Sequence, residues 1–218
     1  LMDISPSTLH ILQEPFPILG RSLSSLDCSE IDLSQGHLEE IGLDPTDLEA
    51  FSAYVFSHPY RIGGYLEKRN LYRSTNHFGT GMFQRNIHLG VDLWAREGTA
   101  LYCPIDGVIH SLHDNEGDGD YGPTIILEHN SGEQSFYSLY GHLSRSTLLE
   151  LHIGHTLTAG DPMGTIGADS ENGDWPSHVH VQLIRDLEWN THDYPGVCAK
   201  KDLKWYRVNC PDSRVIIR

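Results

Sequence analysis

The sequence predicts a mainly β domain preceded by a small helical extension, and two observations lead to this prediction. From Tyr60 onward, short runs rich in β-branched and aromatic residues alternate with clusters of Gly, Pro, Asn and Asp, a texture typical of all-β domains. Before that point the chain is acidic and carries a helical pattern. A chain of 218 residues accommodates one sizeable core and leaves little room for a second full domain. We therefore divide it into an N-terminal extension, 1–57, and a β domain, 58–218.

The extension is acidic and contains one predicted helix. Its first fifty residues hold ten acidic side chains against a single basic one, Arg21, for a net charge of −9. Asp44 and Pro45 are typical of an N-cap and a first helical position, and Pro59 ends the pattern. This spacing predicts a helix over 45–57. Its apolar stripe consists of Leu48, Phe51 and Val55.

The extension has two alternative relations to the β domain. It forms either a permanent cover, with its apolar stripe in the core, or a removable cap across the functional site. A cap would need countercharges on the β domain. A nearby basic group offers them: Arg61, Lys68, Arg69, Arg73 and Arg85.

The β domain divides into strands separated by turn-forming residues. The predicted strands cover 86–94, 100–103, 106–112, 123–129, 134–140, 163–167 and 178–184. The stretch 186–218 has no clear periodicity, and we expect its two tryptophans, Trp189 and Trp205, to cover the sheet.

Charge and composition exclude several partners. The net charge of −15 lacks the basic footprint that phosphate backbones and anionic lipids require, so we expect neither nucleic acid nor a membrane surface as partner. No apolar run is long enough for membrane insertion. The N-terminus shows no secretory signal, so we expect a cytoplasmic location unless a leader has been removed. The four scattered cysteines form no C-x-x-C pair and are expected to be buried or free thiols.

Two predicted strands place candidate metal ligands opposite an apolar face. In 87–93, strand alternation directs His88, Gly90 and Asp92 to one side and the aliphatic residues to the other. In 178–183, His178 and His180 share a face in the same way. Catalytic zinc commonly takes three protein ligands from His, Asp and Glu and keeps one position for water. Two strands that pair their polar faces can supply such a set.

A further histidine, His142, follows a predicted strand directly and lies beside Gly141, a position that suits a side chain projecting into a cleft. Each of these histidines taken singly has a structural interpretation as a core or surface residue. Their combination, in predicted strands with apolar residues on the alternate face, favours a functional site.

In order and spacing, His88-x3-Asp92, Tyr140-Gly141-His142-Leu143 and Ser177-His178-Val179-His180 resemble the motifs of the lysostaphin-type (LytM-like) zinc metalloendopeptidases. The resemblance spans about 86–184. It implies an antiparallel β-sandwich or barrel-sandwich hybrid and a peptide or peptidoglycan-like substrate. It also implies Zn²⁺ bound by His88, Asp92 and His180, with His142 and His178 as the catalytic histidines.

The implied mechanism is metal-assisted hydrolysis of an amide. Of the two catalytic histidines, His178 can accept a proton from water, and His142 can stabilise the oxyanion or protonate the leaving amine, but the sequence does not decide between these roles. The family often has a tyrosine shortly before the first ligand. Residues 79–87 contain only Phe83 as an aromatic residue, which leaves Tyr72 and Tyr65 as substitutes.

A second resemblance concerns 119–129, 193–196 and 210–212, which are similar to the metallopeptidase-like module of large intracellular proteins with kinase-like and aminotransferase domains. This leaves the substrate open. One alternative is a degenerate domain that binds a ligand or partner without catalysis, and another is a zinc amidase acting on a non-peptidic amide. Segments 98–109 and 154–167 also resemble strands of biotinyl and lipoyl carriers, but no Met-Lys or Asp-Lys hairpin is present to carry the cofactor.

Overall fold

The computed structural model describes residues 11, 13–71, 83–117, 119–130, 132 and 134–218. Tyr72 and Arg73 therefore lie outside the described residues. Among the helices that the structure describes, none is long and apolar enough to cross a membrane.

The described chain contains twelve strands and four α-helices. The strands are β1 (Cys28–Glu30), β2 (Tyr60–Gly63), β3 (Arg85–His88), β4 (Val91–Trp94), β5 (Ala100–Tyr102), β6 (Gly107–Asn115), β7 (Gly122–Asn130), β8 (Ser135–Gly141), β9 (Thr156–Leu157), β10 (Pro162–Thr165), β11 (His178–Ile184) and β12 (Val197–Ala199). The helices are α1 (Gln35–Glu40), α2 (Leu48–Val55), α3 (Arg145–Glu150) and α4 (Leu203–Asn209).

Eight strands form one large sheet in the order β1-β2-β4-β11-β8-β7-β6-β9. All neighbouring pairs are antiparallel except β1 and β2, which are parallel. Two small sheets, β5 with β10 and β3 with β12, complete the fold, and the described strands form no closed barrel. The predicted mainly β, antiparallel fold is confirmed.

Strand β11 shows how the sequence builds a core on one side and a cleft on the other. Its Val179, Val181 and Leu183 are fully buried in the main hydrophobic core. The β5 and β10 pair faces the same core with Leu101 and Met163. Because side chains alternate along a strand, His178 and His180 point away from this core and line the cleft.

The predicted strand 86–94 is interrupted at Leu89 and Gly90, and this part of the prediction is wrong. β3 pairs with β12, whereas β4 pairs with β11 and β2. Ile87 and Leu89 consequently enter a second hydrophobic cluster, while Val91 and Leu93 enter the main core. A Cβ at Gly90 would lie 2.5 Å from the His180 ring, so a glycine is needed where the chain passes that ring.

Helix α2 begins three residues later than predicted. Asp47, not Asp44, is its N-cap and accepts a hydrogen bond from the Ala50 amide at 3.1 Å. Phe51 and Val55 are buried as expected, but Leu48 is 60% exposed because it lies on the first turn of the shorter helix.

The extension shares a hydrophobic cluster with the large sheet. β1 is the edge strand of that sheet, beside β2. The buried members of the cluster are Ile31, Leu33, Leu38, Phe51, Val55, Leu71 and Trp94. Since Trp94 ends β4, the cluster connects the extension to a strand of the cleft, which favours the cover interpretation over the cap.

The expectation that Trp189 and Trp205 cover the sheet is wrong. Trp189 is 84% exposed and Trp205 is 45% exposed. The second cluster is filled instead by other C-terminal residues, including Leu187, Tyr194 and Cys198. All four cysteines are free thiols, and three of them are buried: Cys103, Cys198 and Cys210.

Candidate metal and catalytic centre

A cleft opens at the polar face of β4 and β11. Its walls are completed by the segment after β2, the loop before β7 and the loop before β12. The side chains lining it include Arg69, His88, Asp92, Trp94, Tyr121, His142, Trp175, His178 and His180. All five residues singled out from the sequence therefore lie in one cleft.

Three ligand atoms converge at the base of the cleft. His180 lies opposite Asp92 in the pairing of β11 with β4, and His88 ends β3 beside them. His88 Nε2 is 2.9 Å from His180 Nδ1, and Asp92 Oδ1 is 3.1 Å from His180 Nδ1 and 3.3 Å from His88 Nε2. All three side chains are buried. Among the described residues, these three form the group whose potential ligand atoms lie close enough together, within 4.8 Å of one another, to hold a metal ion.

Hydrogen bonds on the far side of each ring fix the tautomers of the two histidines. His88 Nδ1 donates to the Gly64 carbonyl at 3.0 Å. His180 Nε2 donates to Gln182 Oε1 at 2.9 Å, and the Gln182 amide nitrogen donates to the Pro195 carbonyl, which fixes the orientation of that side chain. The nitrogens that face each other, His88 Nε2 and His180 Nδ1, therefore both present lone pairs.

The donor set fits a zinc ion. Two lone pairs 2.9 Å apart repel each other unless a cation lies between them. Burial lowers the pKa of His88 to about 4, so this side chain is neutral and a competent ligand at neutral pH. Two imidazoles and one carboxylate make up a ligand set typical of catalytic zinc. Ligands held at about 2.0–2.1 Å in a tetrahedral site are roughly 3.3 Å apart, close to the spacing of these three atoms.

His142 and His178 are also held by a hydrogen bond from one ring nitrogen to a backbone carbonyl. His142 Nδ1 donates to the Asn172 carbonyl and His178 Nδ1 donates to the Pro176 carbonyl, each at 2.8 Å. Their ring centroids are 4.2 Å apart, and His178 Nε2 is 3.9 Å from Asp92 Oδ1. Burial lowers the pKa of His178 to about 4 and that of His142 well below its usual value. Both side chains are therefore neutral at pH 7, and each can accept a proton at Nε2.

The backbone at His142 adopts a left-handed conformation, with φ of 63°. Its amide donates to the Tyr121 carbonyl at 2.7 Å, and its carbonyl accepts from the Gly167 amide at 2.9 Å. A non-glycine residue in this region is uncommon, and such strain tends to lie at functional sites. The two backbone hydrogen bonds hold this conformation in place directly after β8.

Sequence analysis did not identify Arg69 as part of the site. Arg69 was grouped among countercharges for an acidic cap, but it is only 3% exposed and donates to Asp92 Oδ2 at 2.5 Å and to Glu67 Oε2 at 2.6 Å. Burial opposes ionisation of Asp92, but the Arg69 guanidinium beside Oδ2 favours it, and the pKa of Asp92 is held well below its usual range. The carboxylate is therefore charged and available as a ligand.

Arg61 does contact the extension, but through backbone carbonyls of Tyr54 and Glu30 and the Ser57 hydroxyl, not through carboxylates. Arg61 and Arg69 therefore do not serve as the countercharges that a removable acidic cap would need.

Aromatic side chains complete the cleft walls. Trp94 stacks on His178 with centroids 4.1 Å apart. The ring of Tyr121 lies 5.1 Å from the ring of His180 and 5.7 Å from that of His142, and its hydroxyl donates to the Tyr194 carbonyl. A Cβ at Gly141 would approach the Tyr121 ring to 2.6 Å, so glycine is required there.

The tyrosine expected before the first ligand is not found among the described candidates. Tyr65 donates its hydroxyl to the Cys210 carbonyl at 2.9 Å, and Phe83 is 63% exposed. Tyr121 is the tyrosine whose ring packs against the histidines. Nothing in the sequence placed Tyr121 beside the histidines.

Residues 86–192 match the family model described as Peptidase family M23. The matched range contains all five predicted site residues, and the resemblance to the lysostaphin-type, LytM-like family is confirmed. A comparison with curated proteins gives no match.

Several solved structures are similar to part of the chain. One is the catalytic domain of the antimicrobial peptidase lysostaphin from Staphylococcus simulans, with 20% identity over 56% of this chain and 80% of that one, and a TM-score of 0.39. Another is a mutant catalytic domain of the prophage-encoded M23 protein EnpA from Enterococcus faecalis, with 20% identity, coverage of 64% and 92%, and a TM-score of 0.42. A peptidase M23 candidate from Pseudomonas aeruginosa has 18% identity and a TM-score of 0.39. The match covers 60% of this chain but only 43% of that one.

Proposed function

We propose that the domain matching Peptidase family M23 is a zinc-dependent metallopeptidase that hydrolyses an amide bond in a peptide or peptidoglycan-like substrate. The family match supports a peptidase. The observation that carries the proposal is the convergence of His88 Nε2, His180 Nδ1 and Asp92 Oδ1 within 3.3 Å of one another, with the histidine lone pairs turned inward. Their neighbours His142 and His178 present two further basic nitrogens to the same cleft.

His88, Asp92 and His180 are the proposed zinc ligands. Zinc supplies a Lewis acid that polarises the amide carbonyl and lowers the pKa of water. The residues around the ligands keep them in position: the Gly64 carbonyl and the Gln182 side chain orient the two rings, as is usual for metal-bound histidines.

His178 is the proposed general base. Its Nε2 lies 3.9 Å from Asp92 Oδ1, one of the proposed ligand atoms. When Nε2 takes up a proton, the Nδ1 hydrogen bond to the Pro176 carbonyl stabilises the resulting cation. Trp94, stacked on the ring, keeps it at a fixed angle.

His142 is the proposed second catalytic histidine. Its ring lies 4.2 Å from that of His178, and its Nδ1 is held by the Asn172 carbonyl. Because its side chain is neutral at pH 7, its Nε2 can donate to the oxyanion or to the leaving amine only after it takes up a proton, and the proton that His178 removes from water can supply it. The pair therefore divides the two proton transfers that amide hydrolysis requires.

The test combines metal analysis with hydrolysis of a peptide library and of peptidoglycan fragments, before and after chelation and after zinc is restored. Cleavage that is lost with chelator and recovered with zinc supports the proposal. Zinc binding without cleavage of any substrate would instead support the non-catalytic binding module. Cleavage that persists in the metal-free protein would contradict zinc-dependent chemistry.

A further inference from the structure

A buried arginine from outside the family match contacts a proposed zinc ligand. Arg69 lies in the segment after β2, well before residue 86, where the match begins. Its side chain is only 3% exposed, and its guanidinium lies between the carboxylates of Asp92 and Glu67. Two carboxylates against one guanidinium give this triad, in which Arg69 and Asp92 are buried and Glu67 is partly buried, a formal net charge of −1. That sign is complementary to a divalent cation.

The arginine is held at both its backbone and its head group. The Arg69 amide donates to the Asn86 carbonyl at 2.8 Å, which ties this segment to β3, the strand that ends at His88. At the far end, Glu67 Oε2 accepts from Arg69 Nε, while Glu67 Oε1 accepts from the Leu33 amide at 3.0 Å. The guanidinium consequently has a fixed position relative to the ligands.

The two oxygens of Asp92 have different partners. Oδ2 accepts from Arg69 Nη1 at 2.5 Å, whereas Oδ1 faces His88 Nε2 and His180 Nδ1. A carboxylate with both oxygens free can rotate or bind a metal through either or both of them. With Oδ2 engaged by a charge-assisted hydrogen bond, Oδ1 is the oxygen left facing the ligand nitrogens of His88 and His180.

We propose that Arg69 is a positioning residue of the metal centre, which holds Asp92 so that it binds zinc through Oδ1 alone. This inference rests on the proposed function, because it presupposes that Asp92 is a ligand. It adds that the segment 64–71, outside the family match, is part of the working site: the same segment also supplies the Gly64 carbonyl that orients His88.

The geometry requires an arginine in particular. The guanidinium presents Nε to Glu67 and Nη1 to Asp92 at the same time. A lysine ammonium is a compact charge on a flexible stem and lacks this planar fork. Arg69→Lys therefore keeps the charge but loses the orientation of the carboxylate.

The experiment measures zinc affinity by competition with a chelator, together with the absorption spectrum of the cobalt-substituted protein. Both are compared in the wild-type chain, Arg69→Gln and Arg69→Lys. We expect zinc affinity to fall about 10–100-fold in Arg69→Gln, the usual effect of losing a residue that orients a ligand. We expect the cobalt spectrum to change in both variants, because Asp92 would no longer bind through one oxygen only.

Arg61→Gln is the matched control. Arg61 is also a buried arginine, 8% exposed and eight residues earlier, but its partners are carbonyls and a hydroxyl away from the ligands. It should lower the unfolding free energy without changing zinc affinity or the cobalt spectrum. A purely structural role for Arg69 would make the two glutamine variants behave alike.

A folded Arg69→Gln with wild-type zinc affinity and an unchanged cobalt spectrum would overturn the inference. If that variant does not fold, Glu67→Ala decides instead. It leaves the guanidinium but removes its anchor, so zinc affinity should fall several-fold, and an unchanged affinity would equally overturn the inference. Failure of the proposed function is distinguishable, since it would show as absent zinc binding in the wild-type chain.

Discussion

A single hydrogen bond sets the tautomer of each of the four cleft histidines, His88, His142, His178 and His180. Each of the four donates from its remote nitrogen, three to backbone carbonyls and His180 to Gln182. Because the tautomers are set, the four remaining lone pairs all belong to the cleft. Sequence alternation predicted that His178 and His180 share a face, but tautomers depend on carbonyls that folding brings in from distant segments, such as Gly64 and Asn172.

Substitution of single residues should distinguish the proposed zinc ligands from the proposed catalytic histidines. We expect His142→Ala and His178→Ala to keep zinc and the fold but to lose about 10²–10⁴-fold in hydrolysis, the usual contribution of a general acid or base. Metal content and turnover of each purified variant provide the measurement. If both variants lose zinc as readily as His180→Ala does, the division into ligands and catalysts is wrong.

His129 should make stability depend on pH independently of the metal. It is 2% exposed, its Nδ1 donates to the Asp106 carbonyl, its Nε2 accepts from the Ser138 hydroxyl, and burial lowers its pKa from 6.5 to about 4. Between pH 6.5 and 4 the unfolded chain binds a proton that the folded chain does not, so stability falls as pH falls. The loss reaches about 3 kcal/mol by pH 4.

The measurement is the unfolding free energy of the chelated protein and of His129→Gln between pH 7 and 4. The variant is expected to be less stable at pH 7, and this deficit should shrink by about 3 kcal/mol toward pH 4, because groups common to both proteins cancel. A deficit that stays constant over this range would show that His129 is not buried in its neutral form.

Among the elements, β11 could be predicted closely and β3 with β4 could not. Strict alternation placed 178–184 as a strand with its histidines on one face, and the structure has the same bounds. The break at Leu89 and Gly90 left no trace in the pattern, since aliphatic residues alternate through it while facing two different clusters. The contact of Arg69 with Asp92 could not be predicted either, because the two residues are 23 positions apart and meet only when β2 lies beside β4.

Helix α2 offers a prediction at the element scale. Phe51 is buried and makes an edge contact with Trp94, centroids 6.2 Å apart, and Trp94 in turn stacks on His178. We expect Phe51→Ala to lower the unfolding free energy by about 3–5 kcal/mol. Leu48→Ala, on the same helix but exposed, should change it by only about 0.5 kcal/mol or less. Equal effects in denaturant unfolding would mean that the helix is not docked by this face.

For the whole molecule, the open question was whether the extension caps the site or covers the core. β1 extends the large sheet, and the extension supplies Ile31, Leu33, Phe51 and Val55 to a cluster shared with Trp94. These contacts favour a cover. The division into 1–57 and 58–218 therefore marks a change in composition and does not separate two independently packed units. The acidic charge of the extension gave no indication of this packing.

Truncation to 58–218 tests this interpretation. Removing the extension would expose the apolar surface around Trp94 and leave β2 as an unprotected edge, so we expect aggregation and loss of zinc. Solubility and metal content of the truncated chain are the measurements. A soluble, zinc-loaded 58–218 chain with raised activity would instead show that the extension is a regulatory cap.

The central claim is that His88 and Asp92, with His180, hold one zinc ion. Its most direct test is the zinc content of the purified wild-type chain and of the His88→Ala/Asp92→Ala double variant, by elemental analysis after dialysis. The wild-type chain should contain about one zinc per molecule, as three such ligands predict, and the double variant almost none. Near-stoichiometric zinc in the folded double variant would contradict the account.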